Sequence, residues 1–288
     1  MRRAAWFVLA VGVVAALVSA ACGDDDTGDG GGASFAAGSA MARIVESGRL
    51  TVGVTFDQPG FGLEDATTGR LDGFDVALGR AIGDALGLDE EQVSFVEVQS
   101  GTRIPSLNEG RVDLVIATMT ITEERRREVD FSRPYFLAGQ SLLVRRENTS
   151  IRSVGDLNGR IVCTVPESTS ERNVRERAAQ AELLTLEDFG ACVAALNDGR
   201  AEAVTSDDVV LAGFAREDPS LKLAGGVFSK EPYGVALKQG QAELVEFVDG
   251  VIESMLEDGR WERLYEEHLS GIDGLRPASE ARAAVAGS

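Results

Sequence analysis

The sequence predicts an α/β protein with two lobes, each built from a sheet flanked by helices. Strand-like and helix-like segments alternate over most of the chain, which is the pattern of sheets with helices packed on their faces. Residues 41–270 have ordinary apolar content, enough for two modest cores. In the simplest path the chain crosses to the second lobe near Val144 and returns near Gly234, so the C-terminal helices complete the first lobe.

The first lobe is expected to comprise residues 41–144 and 234–270. Its predicted strands are residues 50–54, 93–98 and 112–117. Its predicted helices are residues 75–86, 104–108, 243–256 and 261–268, the last two after the segment 233–237. The first helix is supported by Leu78, Ile82 and Ala85, which fall on one face at helical spacing.

The second lobe is expected to span residues 145–233. Its predicted elements are a short helix at 153–157, strands at 160–165, 183–186, 203–205 and 221–228, and helices from about 170, over 188–197 and after 207–208. Ser153 begins the short helix as its cap, with Asp156 three residues on as in a capping box. Residues 271–288 are rich in Ala, Ser and Arg, and we expect a disordered tail there.

The N-terminus predicts export. Arg2 and Arg3 precede an apolar run that is too short to span a membrane comfortably, and small residues follow, as in a secretory signal peptide over residues 1–21. Residues 17–22 resemble the bacterial lipobox, which makes Cys22 the lipid acceptor and places the protein on the outer face of the membrane. Ordinary cleavage beside an incidental cysteine is the alternative. Residues 22–40 are rich in Gly, Asp, Ser and Ala and read as a flexible linker.

Outside the cytosol the two remaining cysteines are expected to pair. Cys163 and Cys192 lie 29 positions apart, and a disulfide between them would stabilise the fold by about 3 to 4 kcal/mol on the chain-entropy model. Two buried free thiols are the alternative. The single histidine, His268, lies in a helical setting and is expected to be a surface or packing residue, so we expect neither a metal nor a cofactor.

A net charge of −19 argues against a nucleic-acid partner, because phosphate binding needs clustered Lys and Arg. The same charge repels an anionic ligand, so a site for one would have to overcome that field locally.

Three segments carry candidate binding groups. Thr118 to Arg125 follow a buried strand, at the sheet edge where α/β proteins bind ligands, and a guanidinium matches the two oxygens of a carboxylate. Arg125 also suits a solvated helix face. Residues 168–171 offer amides at a helix N-terminus, suited to an anion or to simple capping. Asp207 could cap the next helix or pair with a ligand ammonium group.

Several motifs together resemble the polar amino-acid solute-binding proteins of ABC transporters (family 3), over about Leu50 to Leu269. The motifs are Gly73-Phe74-Asp75-Val76, Val112-Asp113-Leu114, residues 120–125, residues 129–135 and Asp156-Leu157-Asn158-Gly159. The resemblance implies a periplasmic-binding-protein-like (type II) fold with a two-segment hinge, a monomer with an amino-acid ligand, and delivery to the permease subunits of an ABC transporter. It implies a binding protein rather than an enzyme.

Residues 56–62, the cysteine pair and residues 206–213 look like the glutamate-binding branch of this family in Gram-positive bacteria. Matched residues would take these roles: Arg125 with Thr120 and Thr118 on the α-carboxylate, Thr169 beside them, Asp207 on the α-ammonium, Arg103 on a distal carboxylate, and Gln58 and Phe61 lining the cleft. The alternatives without a binding role are a surface position for Arg103 and a core position for Phe61. L-Glutamate, and with it aspartate, is the expected ligand. Glutamine or another polar amino acid, an exported enzyme of the same fold and a sensory domain are the competing functions.

Overall fold

The computed structural model describes residues 35–272 and 275–288. The expectations for the signal peptide, for Cys22 and for most of the linker lie outside these residues. No helix in the described ranges is long and apolar enough to cross a membrane.

The first lobe is built on a five-stranded mixed sheet. Its strands are β1 (Leu50–Val54), β5 (Val93–Glu97), β6 (Leu114–Val115), β7 (Val129–Ala138) and β13 (Glu231–Lys238), in the order β5-β1-β6-β13-β7. Strands β5, β1 and β6 run parallel, whereas β13 is antiparallel to both of its neighbours. A small antiparallel sheet of β2 (Asp57–Gln58), β3 (Gly62–Glu64) and β4 (Leu71–Asp72) follows β1. The helices of this lobe are α1 (Ala40–Ser47), α2 (Phe74–Ala85), α3 (Arg103–Asn108), α7 (Ala242–Glu257) and α8 (Arg260–Leu269).

The second lobe repeats the design with another five-stranded mixed sheet. Its strands are β8 (Gln140–Arg145), β9 (Ile161–Thr164), β10 (Glu182–Thr185), β11 (Ala203–Asp207) and β12 (Leu221–Ala224), in the order β10-β9-β11-β8-β12. Its helices are α4 (Thr169–Arg177), α5 (Phe189–Asn197) and α6 (Asp208–Glu217). The fold class, two mixed α/β lobes in one compact unit, agrees with the prediction.

The two crossings between the lobes occur earlier than we predicted. Strand β7 ends at Ala138 in the first sheet and β8 begins at Gln140 in the second, so the first crossing is at Gly139 rather than near Val144. The return lies between Ala224 and Glu231, before the predicted Gly234. A Cβ on Gly139 would come within 2.6 Å of the Ser229 carbonyl oxygen, which shows how closely the two crossing segments approach. These segments form the two-part hinge.

The predicted disordered tail is wrong, because residues 278–286 form helix α9 (Ala278–Ala286). Ala278 and Val285 lie seven residues apart, on one helix face, and both are buried against the first-lobe core. The Arg282 Nε donates to the Leu256 carbonyl at 2.8 Å, and the Tyr265 hydroxyl donates to the Arg276 carbonyl at 2.6 Å. We missed this helix because the segment is rich in small residues and Arg, and its buried apolar face consists of only two residues.

The predicted disulfide is confirmed. Cys163 on β9 and Cys192 on α5 are bonded, with their Cα atoms 5.4 Å apart, and both are fully buried. The bond fastens α5 to the second-lobe sheet, with the N-terminus of that helix at the interface between the lobes.

Candidate ligand-binding site

Arg103, the first residue of α3, is buried at the edge of the first-lobe sheet. It is 5% exposed, its Nη1 donates to the Ala117 carbonyl at 3.1 Å, and its Nη2 donates to the Ser100 hydroxyl. The Nε is also buried and has no hydrogen-bond partner among the described residues. Burial, together with the nearby charge of Arg125, lowers the pKa of Arg103 to about 9. The surface position that was the alternative for Arg103 is therefore excluded.

The turn after β6 brings a second arginine to the same place. The Arg125 Nη1 donates to the Thr120 carbonyl at 2.8 Å, and its Nη2 reaches the Glu167 carbonyl of the second lobe at 3.5 Å. Burial, and then the charge of Arg172, lowers the pKa of Arg125. Arg125 thus lies between the lobes, where its guanidinium can contact a bound group from the first-lobe side.

Thr118 has an unusual backbone conformation, with φ at 45°, which a β-branched residue rarely adopts. Its amide donates to the Asp75 Oδ2 at 2.8 Å and its hydroxyl donates to the Gln58 Oε1 at 2.9 Å, and these two bonds hold the strained residue in place. Thr118 and Thr120 are both buried.

The second lobe contributes a helix N-terminus and a carboxylate. Thr169 is the first residue of α4, after Ser168, whose hydroxyl caps the helix by accepting from the Glu171 amide at 3.0 Å. Asp207 ends β11, and its Oδ2 accepts from the Tyr233 hydroxyl at 2.6 Å. Asp207 precedes α6, yet its side chain makes no capping bond, and its buried Oδ1 has no partner in the described part of the chain.

Burial raises the pKa of Asp207 well above its usual range, and the charge of Glu231 adds to the effect. An ammonium group at the Oδ1 would offset this cost, since an opposite charge favours the ionised carboxylate.

These side chains meet in one cavity between the lobes, with a volume of about 20 Å³. Predicted site residues that line it are Arg103, Thr118, Thr120, Arg125, Thr169 and Asp207, and it is also lined by Ser100, Ser168, Ser170, Phe189 and Ser206. The lobes lie so close here that the cavity can hold a ligand of several non-hydrogen atoms only when they separate or the arginines move. A wider groove of about 540 Å³ adjoins the cavity and gives access from solvent.

A protein-family comparison matches residues 50–271 to the bacterial extracellular solute-binding proteins, family 3. The chain belongs to this family. It is 39% identical to the ABC transporter glutamine-binding protein GlnH of Bacillus subtilis, over 90% of this chain and 94% of that protein. It is 32% identical to the glutamate-binding protein GluB of Corynebacterium glutamicum, over 91% of this chain and 89% of that protein. A solved solute receptor for L-cysteine from Neisseria gonorrhoeae superposes with a TM-score of 0.77 at 31% identity, covering 82% of this chain and 97% of that one.

Two residues expected to line the cleft of this solute-binding protein lie elsewhere. Phe61 is fully buried in an aromatic cluster, with its ring 5.3 Å from that of Phe136 and 6.0 Å from that of Tyr233, so it is a core residue. Gln58 does not line the cavity but accepts a hydrogen bond from the hydroxyl of Thr118, which does. A phenylalanine near a binding motif is equally suited to the hydrophobic core and to the wall of a cleft, so the sequence could not show which position Phe61 takes.

Sequence reasoning missed the lining residues Ser100, Phe189 and Ser206. Ser100 and Ser206 are near neighbours of predicted site residues at strand ends, and that adjacency was a usable signal. Phe189 follows a helix cap and is 6% exposed, and nothing in the sequence distinguishes it from a core residue.

The lobes of the solute-binding protein also contact each other beside the cavity. The Asp57 Oδ2 on β2 accepts from the Phe189 amide at the start of α5, at 3.0 Å. In the wider groove next to the cavity, the Arg172 guanidinium lies 3.2 Å from the Glu124 carboxylate. Burial raises the pKa of Asp57 to about 6. Both contacts would break if the lobes separated.

Proposed function

We propose that the chain is an exported, lipid-anchored solute-binding protein that captures an acidic amino acid, L-glutamate or related aspartate, and delivers it to the permease subunits of an ABC transporter. Membership of the solute-binding family supports the general role. The names of GlnH and GluB support an amino acid as the ligand and an ABC transporter as the partner, and they divide between an amide and an acid.

The observation that favours an acid is the charge balance of the cavity lining. Two guanidinium groups, of Arg103 and Arg125, and one carboxylate, of Asp207, face the same small space. Glutamate carries the complementary set of two carboxylates and one ammonium group. Groups buried in a closed cavity must be paired, since an unpaired charge there costs more free energy than a pair gains.

In this arrangement Arg125 holds the ligand α-carboxylate with the amides at the start of α4. The Oδ1 of Asp207 accepts from the α-ammonium, and Arg103 binds the distal carboxylate. Contacts of the first two kinds recognise any L-α-amino acid. Arg103 therefore selects the member of that class.

Closure about the hinge removes water from these ion pairs. Ligand groups contact Arg103 and Arg125 of the first lobe and Asp207 of the second, so they bind the closed form better than the open one, and this difference in affinity sets the shift in population. The closed form presents a joint surface of both lobes to the permease.

Arg103 provides the sharpest test. Replacing Arg103→Ala is expected to weaken glutamate binding by about 2 to 5 kcal/mol, because one charge of a buried pair is left alone. The matched control is Arg80→Ala on α2, where the arginine pairs with the exposed Glu90 and neither residue lines the cavity. Calorimetry on both variants and the wild type would contradict the proposal if Arg103→Ala bound glutamate as tightly as Arg80→Ala does.

Glutamine is the second candidate, and the 39% identity to GlnH favours it. Arg125 is assigned to the α-carboxylate, so among the described lining residues Arg103 is left as the one basic side chain for a distal carboxylate. A distal amide could bond to Arg103 through its oxygen. Calorimetry with both ligands separates the two, since the acidic assignment requires glutamate to bind more tightly.

Cys22 is the proposed lipid acceptor, and the mature chain is proposed to act as a monomer. The Cys22→Ala variant should appear in the culture medium, while the wild type stays with the membrane fraction. Release of both forms, or retention of both, would contradict lipid anchoring through this residue.

A further inference from the structure

One peptide group in the wall of the cavity is held from both ends by opposite charges. The carbonyl of Ala117 accepts from the Arg103 Nη1 at 3.1 Å, and the amide of Thr118, which belongs to the same peptide, donates to the Asp75 Oδ2 at 2.8 Å. A cation and an anion therefore face each other across a polarised peptide. Hydrogen bonds in such a chain strengthen one another where the surroundings are dry.

Asp75 lies in the first turn of α2 and is fully buried. Its Oδ1 accepts from the Tyr135 hydroxyl of β7 at 2.8 Å, and the Thr118 amide reaches it from the turn after β6. Arg103 of α3 is the charged group that faces it. Burial raises the pKa of Asp75 to about 7, and the bonds from Tyr135 and Thr118, followed by the charge of Arg103, oppose that rise.

We infer that Asp75 is a positioning residue for the selective part of the site. It fixes the 117–118 peptide that holds Arg103, and its negative charge offsets that of Arg103, so an acidic amino acid binds together with one proton taken up by Asp75 and an amide binds without it. This inference rests on the proposed function. The proton comes from solvent and converts the Asp75 carboxylate to the neutral acid.

The charge balance explains the coupling. With a neutral distal group in the site, Arg103 remains the partner of Asp75, and ionised Asp75 is stabilised. A distal carboxylate takes over the charge of Arg103 and places a second negative charge near Asp75, so the pKa of Asp75 rises in that complex. Protonated Asp75 can still accept the Thr118 amide through its carbonyl oxygen, so the peptide stays in place.

The sign of the pH effect follows. Because Asp75 has the higher pKa in the glutamate complex, lowering the pH favours glutamate over glutamine. For each unit of pKa difference between the two complexes, the ratio of glutamate to glutamine affinity rises by up to about tenfold. Free glutamate and free glutamine do not change their side-chain charge between pH 5.5 and pH 8.5. Asp57 and Asp207 have the same surroundings in the glutamate and glutamine complexes. Their protonation therefore changes both affinities equally and leaves the ratio of the two affinities unchanged.

The first measurement uses the wild-type protein. Dissociation constants for glutamate and for glutamine are determined by calorimetry between pH 5.5 and pH 8.5, in two buffers of different ionisation enthalpy at pH 7.5. We expect the affinity ratio to rise by about fivefold to tenfold from the highest to the lowest pH, with more proton uptake on binding glutamate than on binding glutamine. A ratio that stays constant over this range, with equal proton uptake for the two ligands, would overturn the role of Asp75.

The second measurement uses Asp75→Asn, with Asp113→Asn as its matched control. The Asp113 Oδ2 likewise accepts a backbone amide, that of Thr51 at 2.8 Å, away from the cavity residues. In Asp75→Asn the ratio should lose its pH dependence and stay at the low-pH value of the wild type, whereas Asp113→Asn should behave as the wild type does. A purely structural role would weaken both ligands equally, and a retained pH dependence would also overturn the inference.

The two proposals fail in different ways. If neither glutamate nor glutamine binds the folded wild type, the proposed function fails. If both ligands bind and the ratio of their affinities does not change with pH, the proposed role of Asp75 fails while the proposed function stands. Should Asp75→Asn not fold, the wild-type ratio and its proton uptake still decide the matter.

Discussion

Replacing Asp57→Asn should tighten ligand binding at pH 7.5, although the residue makes a hydrogen bond between the lobes. The Asp57 carboxylate accepts from the Phe189 amide at 3.0 Å, yet its Oδ1 is buried without a partner among the described residues. Burial outweighs the hydrogen bonds and raises the pKa of Asp57 from 3.8 to about 6, with the neighbouring Asp188 adding to the rise. An ionised Asp57 therefore disfavours the closed form.

The magnitude follows from that shift. A shift of about two pKa units, at about 1.4 kcal/mol each, means that the closed form destabilises the ionised carboxylate by about 3 kcal/mol relative to the neutral acid. Asparagine has nearly the same shape, keeps the acceptor for the Phe189 amide and carries no charge. Since part of the penalty is present in the open form too, we expect a gain of about 1 to 3 kcal/mol, or about fivefold to hundredfold in affinity.

The assay is a calorimetric titration of both proteins at pH 7.5 and pH 5. The closed form has the raised pKa, so the wild type gains closure as the pH falls through about 6 and Asp57 takes up a proton. At pH 5 the advantage of Asp57→Asn should shrink to about half in free energy, because the closed form of the wild type is then protonated whereas the open form, with its lower pKa, is still ionised. Weaker binding by Asp57→Asn at pH 7.5, or an advantage as large at pH 5 as at pH 7.5, would refute the reasoning.

Three further predictions concern stability. Replacing both Cys163 and Cys192 by serine should lower the free energy of unfolding by about 3 to 4 kcal/mol in denaturant titration, because the bond closes a loop across 29 positions; a loss below about 1 kcal/mol would count against it. Phe61→Ala should cost about 3 to 5 kcal/mol of stability by leaving a cavity in the aromatic core, while the order of ligand affinities stays unchanged; an altered order would place Phe61 at the ligand. Removing residues 278–288 should lower the melting temperature because it exposes the surface that Ala278 and Val285 cover, and an unchanged temperature would show that α9 adds nothing.

Much of the fold could be read from the sequence because apolar segments of strand length alternate with segments of helical period. The cysteine pair followed from export, and the structure contains it. The crossing at Gly139 could not be placed, since this single residue separates β7 from β8 and the change of sheet depends on close approach of the Ser229 backbone. Helix α9 was missed because its buried face is small.

The candidate site was predictable where charge was the signal. Arg103, Arg125 and Asp207 are charged residues at strand ends and helix starts, and the structure brings them to one cavity. Apolar and small residues carry no such signal, so Phe61 was misplaced and Phe189 was overlooked. The link from Asp75 to Arg103 runs through a backbone peptide, which no side-chain pattern reveals.

Thermal unfolding of the mature protein with each of the twenty amino acids tests most directly whether the two lobes capture an acidic amino acid. Glutamate at 100 times its dissociation constant should stabilise the fold by about 2.7 kcal/mol, and at equal concentration it should raise the melting temperature more than any neutral amino acid does. A well-folded protein whose melting temperature no amino acid changes would contradict the account.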